Sequence, residues 1–352
     1  MRWLAVISVA ACTSDIPASD EATRDPVPLR TLAAQRGIAL GTAIDTKPLH
    51  DDPLYGEIAG YQLDMIVAET KMKMAALQPS RGAFDYEAAD AMVDFAEANA
   101  MTVRGHTLVY PLGSPAWLLD GTWTRDELLG IVTDHITQVM THYRGRVAEW
   151  DVVNEPFDYQ PGDTAAALDD KLFTNVIGPD YIELALRAAR AADPAAKLFV
   201  NESGIELPGP KLDAIRDMAA DFIARGVPLD AIGMEFHVPL DQAGDIDATL
   251  ADVATAMHTL TDLGIEIHIT ELDIRTRTPA DDDALTRQAA LYAGIVHACL
   301  TTPRCTGIVM WGFTDRHSWI PDQFPGYGEA CVLDDAYRFK PAYHALHDEL
   351  SN

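Results

Sequence analysis

Eight short β-rich runs, most of them followed by a longer stretch with helical apolar spacing, constrain the fold of this chain more than any other feature. The runs cover Ala39–Ala43, Asp64–Glu69, Thr102–Leu108, Val147–Asn154, Lys197–Asn201, Ala231–His237, Glu266–Glu271 and Gly307–Trp311. Amphipathic segments are expected at Ala88–Ala100, Arg125–Tyr143, Tyr181–Ala192, Lys211–Arg225, Leu250–Leu263 and Leu285–Leu300. Pro194 closes one of them, because it lacks the N–H that the helix would need, and Gly226 and Gly264 stand just past two others, where caps belong. Alternating β and α elements predict a parallel sheet flanked by helices, and eight units predict its closure into a single-domain α/β fold, the (β/α)8 TIM barrel. At 352 residues and 48% hydrophobic, the chain has the length and the apolar content for one such core.

A barrel of this kind places chemistry at the C-terminal ends of its strands. The runs end in Glu69, His106, Asn154-Glu155, Asn201-Glu202, Glu235-x-His237, Glu271-x-Asp273 and Trp311. A single polar strand end is ordinarily a satisfied cap. Seven together read as one site. Glu155 and Glu271 stand out, each where a buried run gives way to a loop. Two carboxyls converging at one end of a barrel can break a glycosidic bond, one as acid and one as nucleophile, with retention if they stand about 5–5.5 Å apart.

Charge and cysteines narrow the setting. With 26 basic and 54 acidic residues the net charge is −28, which argues against nucleic acid as a partner. Residues 1–12 carry one positive charge and a short apolar run, as a signal peptide does. Val9-Ala-Ala-Cys12 also fits a lipoprotein signal, so export with lipidation at Cys12, or plain secretion, is expected in a bacterial cell envelope; that lipid is the only membrane contact foreseen. Residues 13–31 read as an acidic, disordered tether and 32–352 as the catalytic domain. Cys299 and Cys305 bracket a short turn and are expected to form a disulfide, leaving Cys331 unpaired. No Cys-x-x-Cys or His-Glu-x-x-His spacing occurs, so no metal or other cofactor is expected.

The ordered motifs carry a resemblance. Glu69-Thr-Lys-Met-Lys73, Pro79-Ser-Arg-Gly-Ala-Phe-Asp-Tyr86, Arg104-Gly-His-Thr-Leu-Val109, Trp150-Asp-Val-Val-Asn-Glu-Pro156, Gly233-Met-Glu-Phe-His237, Ile269-Thr-Glu-Leu-Asp273, Trp311-Gly-Phe-Thr-Asp-Arg-His-Ser-Trp319 and Lys340-Pro-Ala-Tyr343 appear in that sequence. From about Leu32 to Leu346 the chain resembles family 10 of the glycoside hydrolases, typified by endo-β-1,4-xylanases. The resemblance implies Glu155 as acid/base and Glu271 as nucleophile. It implies Asn154 for the sugar 2-hydroxyl, His237 for the nucleophile, and Asp273 as the support of His237. It also implies Glu69, Lys73 and His106 as a polar wall, Trp311 and Trp319 as flat faces for a sugar ring, and Glu235 among the substrate-binding residues. The expected partner is a polysaccharide or oligosaccharide, bound by a monomer.

Several positions depart from the family pattern. Thr70 replaces an asparagine, Tyr110, Pro111 and Gly113 replace tryptophan, histidine and glutamine, Ser203 replaces an aromatic residue, and Glu235 replaces a glutamine. A third acid at position 235 either stays protonated or raises the proton affinity of the nucleophile. A β-glucanase or β-glycosidase of altered specificity, and a surface glycan-binding protein without turnover, therefore stay open beside the xylanase reading.

Overall fold

The computed structural model describes residues 25–159 and 165–352. Eight strands, here β1 to β8, run in parallel: Ala39–Ile44, Met65–Ala68, Thr102–Val109, Glu149–Asn154, Lys197–Glu202, Ala231–Pro239, Glu266–Arg277 and Cys305–Met310. Each pairs with its neighbour in chain order, and β8 returns to β1 through Ala39↔Gly307 to Thr42↔Met310, which closes the barrel. The expected fold class and all eight strands are present. β7 runs six residues past its expected end, because it stays paired with β6 out to Pro239↔Arg275 and picks up an antiparallel partner at Tyr327–Gly328.

The helices wrap the barrel on apolar faces. Thr124 opens Arg125–His142 with a capping box to Glu127. Gly226 ends Pro210–Arg225 in the left-handed conformation at φ 65°. Among the described residues, four helices of 6 residues or more escaped the pattern reading: Leu29–Arg36, Thr46–Asp51, Pro53–Gln62 and Pro341–Ser351.

The first of these corrects a boundary. The segment read as tether to residue 31 ends earlier, since Leu29 and Ala33 are buried in the core and Arg30 Nη1 donates to the Gly60 carbonyl at 2.7 Å. Asp25 already accepts from the Tyr343 hydroxyl at 2.7 Å. The expected signal segment and Cys12 lie outside the described residues. Cys299 and Cys305 are joined, with Cα atoms 5.2 Å apart, and Cys331 is free and buried.

Two register shifts decide where side chains aim. On β4, Asp151 pairs with Phe199 but Val153 with Val200; on β7, Ile269 faces Met234 but Glu271 faces Glu235. An extra residue in each strand changes the alternation, as a bulge does. Asp151 and Asn154, three apart, thus both reach interior partners, and so do His268 and Glu271.

Below the mouth, the interior holds charge. Arg104 is fully buried, donates to Glu149 at 2.8 Å and to both oxygens of Asp151, and lies 4.0 Å over the Phe199 ring. His268 completes the cluster, 3.4 Å from Glu149 and 2.9 Å from the Thr306 hydroxyl. Burial opposes ionisation of Glu149, but His268 and Arg104 outweigh it and bring its carboxyl down to about 2.

Candidate active site

The C-terminal mouth opens into a cleft of about 560 Å³ lined by Glu69, Thr70, Lys73, His106, Tyr110, Asn154, Glu155, Glu235, His237, Glu271, Trp311 and Trp319. Every residue expected to touch substrate is here, drawn from six different strand ends. Asp273 stands directly behind them.

Glu271, on β7 just past the register shift, is the most heavily held member. Its Oε2 lies 3.0 Å from His237 Nε2, and its Oε1 accepts from Asn201 Nδ2 at 2.8 Å. His237 in turn donates from Nδ1 to Asp273 Oδ2 at 2.8 Å, and the Trp319 indole N–H donates to that same oxygen at 2.8 Å. Burial pulls the His237 imidazolium down, but Asp273 and Glu271 outweigh it and hold it well above the ordinary histidine range. The carboxylate therefore faces a cation on one side and an amide donor on the other.

Glu155 follows β4 with φ 48°, a left-handed backbone uncommon for a non-glycine residue. Its neighbour Pro156 disfavours helical geometry for the preceding residue, so the conformation is imposed by the surroundings. Glu155 N–H donates to the Asn201 carbonyl at 2.9 Å, which ties the turn to β5. Asn154 Nδ2 is 3.4 Å from Glu155 Oε1, and the Tyr110 phenol also bonds this carboxyl; burial, then Glu155, raises the phenol well above its usual range.

The polar wall sits opposite. His106 Nδ1 is 3.0 Å from Asp151 Oδ2, and its ring meets Trp311 edge-on with centroids 5.3 Å apart. Burial and the nearby Asp45 raise the Glu69 carboxyl, while Lys73 offsets part of that.

The departures from the family pattern have local causes. Thr70 donates to Asp45 Oδ2 at 3.0 Å. A Cβ at Gly113 would meet Tyr110 at 3.1 Å and Lys73 at 3.3 Å, so the missing side chain leaves room for that pair. Ser203 lies 3.4 Å from Lys211 Nζ, and Lys211 pairs with buried Glu202. Burial pushes Glu202 up to about 7, against the pull of Lys211.

Asn201 was missed as a site residue, although its place at a strand end was visible. Its Nδ2 lies within 2.9 Å of acceptors on Asn154, Glu235 and Glu271, and its Oδ1 accepts from Thr270 at 2.6 Å. Gly233 is needed beside it, because a Cβ there would come within 2.1 Å of Asn201 Oδ1. Asp151 was likewise missed; it meets His106 because the two are paired in register across β3 and β4.

A closed parallel barrel with a cation-held carboxylate and a second carboxyl at one mouth defines a barrel hydrolase acting through paired acids. The chain belongs to glycosyl hydrolase family 10, whose model matches residues 28–349. It is 35% identical over 328 residues to endo-1,4-beta-xylanase A of Phanerodontia chrysosporium, covering 90% of this chain and 76% of that one. It is 34% identical over 348 residues to endo-1,4-beta-xylanase B of Thermotoga neapolitana, covering 97% and 95%. Xylanase 10B from Thermotoga petrophila RKU-1, solved in complex with xylobiose, superimposes with a TM-score of 0.87 at 35% identity, over 93% of this chain and 98% of that one.

Proposed function

We propose that this protein is a retaining endo-β-1,4-xylanase that hydrolyses xylan-type β-glycans by double displacement. The observation that carries the reading is Glu271, held between His237 and Asn201 and sharing one cleft with Glu155. Glu155 gives its proton to the leaving glycosidic oxygen while Glu271 attacks the anomeric carbon; the C–O bond to the leaving sugar breaks as the ester to Glu271 forms. Glu155, now a carboxylate, then takes a proton from water. That water attacks the same carbon and releases Glu271, so configuration is kept.

His237 and Asn201 hold the Glu271 carboxyl and aim it, and Asp273 keeps His237 in place. Asn154 Oδ1 accepts from Asn201, which leaves the Asn154 Nδ2 for Glu155 and for the sugar 2-hydroxyl, a contact that strengthens in the transition state. Glu69, Lys73 and His106 serve as the polar wall for the glycone sugars. Trp311 and Trp319 offer apolar faces, the second fixed by its bond to Asp273.

The relatives' xylanase names and the xylobiose in the Thermotoga petrophila protein support xylan as substrate. Thr70, Tyr110 and Ser203 favour a second reading, a β-glycanase whose preference has moved toward other or decorated chains. The Cys299–Cys305 bridge supports export, and a lipid anchor at Cys12 and action as a monomer complete the proposal.

Reducing-sugar release from xylan, mixed-linkage glucan and aryl glycosides tests the reading. Xylan should be cleaved internally, with the first product formed in the β configuration. Release from glucan alone would favour the second reading, and binding without any product would favour a glycan-binding protein.

A further inference from the structure

The double displacement gives no work to Glu235, yet this residue stands against the nucleophile. It lies on β6 in register with Glu271 and is 3% exposed. Its Oε1 accepts from Asn201 Nδ2 at 2.9 Å, the same nitrogen that donates to Glu271 Oε1. Ligand atoms of Glu235, Glu271 and His237 all lie within 4.8 Å of one another.

The His237 imidazolium offsets a charge on Glu235 only in part. His237, on the same strand, spends both ring nitrogens on Glu271 and Asp273. His106 on β3 bonds Asp151. Glu155 beyond β4, Glu202 on β5 and Tyr110 beyond β3 also act on it, all acids or a phenol, while Lys73 lines the same cleft and offsets Glu69. Two carboxylates in one dry site share a proton rather than both ionise. Glu271 has the cation, so Glu235 takes the proton. Burial, then Glu271 and Glu155, accordingly push the Glu235 carboxyl well above its usual range.

We propose that Glu235 is held as a neutral carboxylic acid while the enzyme works, with Oε1 accepting from Asn201 and Oε2 carrying the proton. It acts as a positioning residue through Glu271, leaving that side chain as the single negative charge of the pair. The protonation state stands on the geometry of the cleft; only its kinetic consequence rests on the role given to Glu271 above.

Infrared difference spectra between the parent and Glu235→Gln at neutral pH test the proton directly. A protonated-carboxyl C=O band belonging to the parent is expected. Thermal unfolding gives an independent readout. A carboxyl whose folded pKa is raised above its unfolded value of 4.5 costs stability as pH rises past that value. Glu235→Gln should therefore melt higher than the parent near neutral pH, by on the order of 2 °C or more, with the gain fading below about pH 4.5. Glu235→Leu, also neutral at every pH, carries the same test if the glutamine variant does not fold.

Whatever the size of kcat/KM in the variant, its acid and alkaline limbs should follow those of the parent. The absence of the band, a melting difference that ignores pH, or limbs diverging by about tenfold in rate would overturn the proposal. So would loss of activity on EDTA treatment with return on adding zinc, since a cation would then occupy the place of the proton.

Discussion

The side-chain nitrogen of Asn201 lies 2.8 Å from Glu271 Oε1 and 2.8 Å from Asn154 Oδ1. One amide on β5 thus links the strand of the proposed nucleophile to the strand that leads into the proposed acid. A hydrogen bond to a charged group contributes about 1.5–3 kcal/mol. Asn201→Ala should lower kcat/KM by about ten- to a hundredfold, with most of the loss in kcat. Steady-state kinetics on an aryl xyloside checks this; a change confined to KM would contradict it.

The two glutamates should separate by leaving group. Glu155→Ala should slow xylan hydrolysis on the order of 10²–10⁴-fold, the contribution typical of general acid catalysis. Aryl glycosides whose leaving group needs no proton should suffer far less in their first step. Glu271→Ala should abolish turnover of both substrates. Parallel losses on both substrates in Glu155→Ala would refute the acid role.

Asp273 works through His237. Asp273→Asn removes the charge that holds the imidazolium and weakens the acceptor of the Trp319 indole. Without that charge the His237 imidazolium should lose its proton at lower pH than in the parent, so the alkaline limb of kcat/KM should move downward. An unchanged alkaline limb in the pH–rate profile would show that His237 needs no such support.

The buried cluster under the mouth should govern acid stability. Glu149 is brought down to about 2 from 4.5 by His268 and Arg104. A lowered folded pKa adds stability above the unfolded value and loses it as pH falls toward the folded one. The loss should run from about pH 4.5 to about pH 2 and amount to about 3 kcal/mol. Arg104→Leu leaves buried Glu149 and Asp151 with only His268 and His106 beside them and should cost about 3–5 kcal/mol at neutral pH. Denaturant melts across the pH range measure both effects.

Much of this was legible in the sequence, for particular reasons. The eight strands showed because apolar β-rich runs bounded by glycine, proline and helical spacing have few other readings. Glu155, Glu271, His237 and Asp273 showed because polar residues ended those runs. The extra residues in β4 and β7 did not show, since a bulge looks like one more apolar or β-branched residue in a run. Arg104, Glu149 and His268 passed as ordinary polar positions because their meeting inside the barrel needs three strands that only closure brings together. Asn201 stood at a visible strand end, but its three acceptors come from neighbouring strands, which only the register brings together. The start of the fold was placed late because Arg30, a polar residue, caps the Gly60 carbonyl on the helix beneath it.

The most direct test of the central claim is to trap the covalent intermediate. A 2-fluoro xylobioside with a good leaving group destabilises the cationic transition state and lets the glycosyl ester accumulate. Mass spectrometry of the digested protein should then find one added disaccharide on the peptide that contains Glu271. Turnover of that substrate with no labelled peptide, or with the label on another residue, would contradict the account.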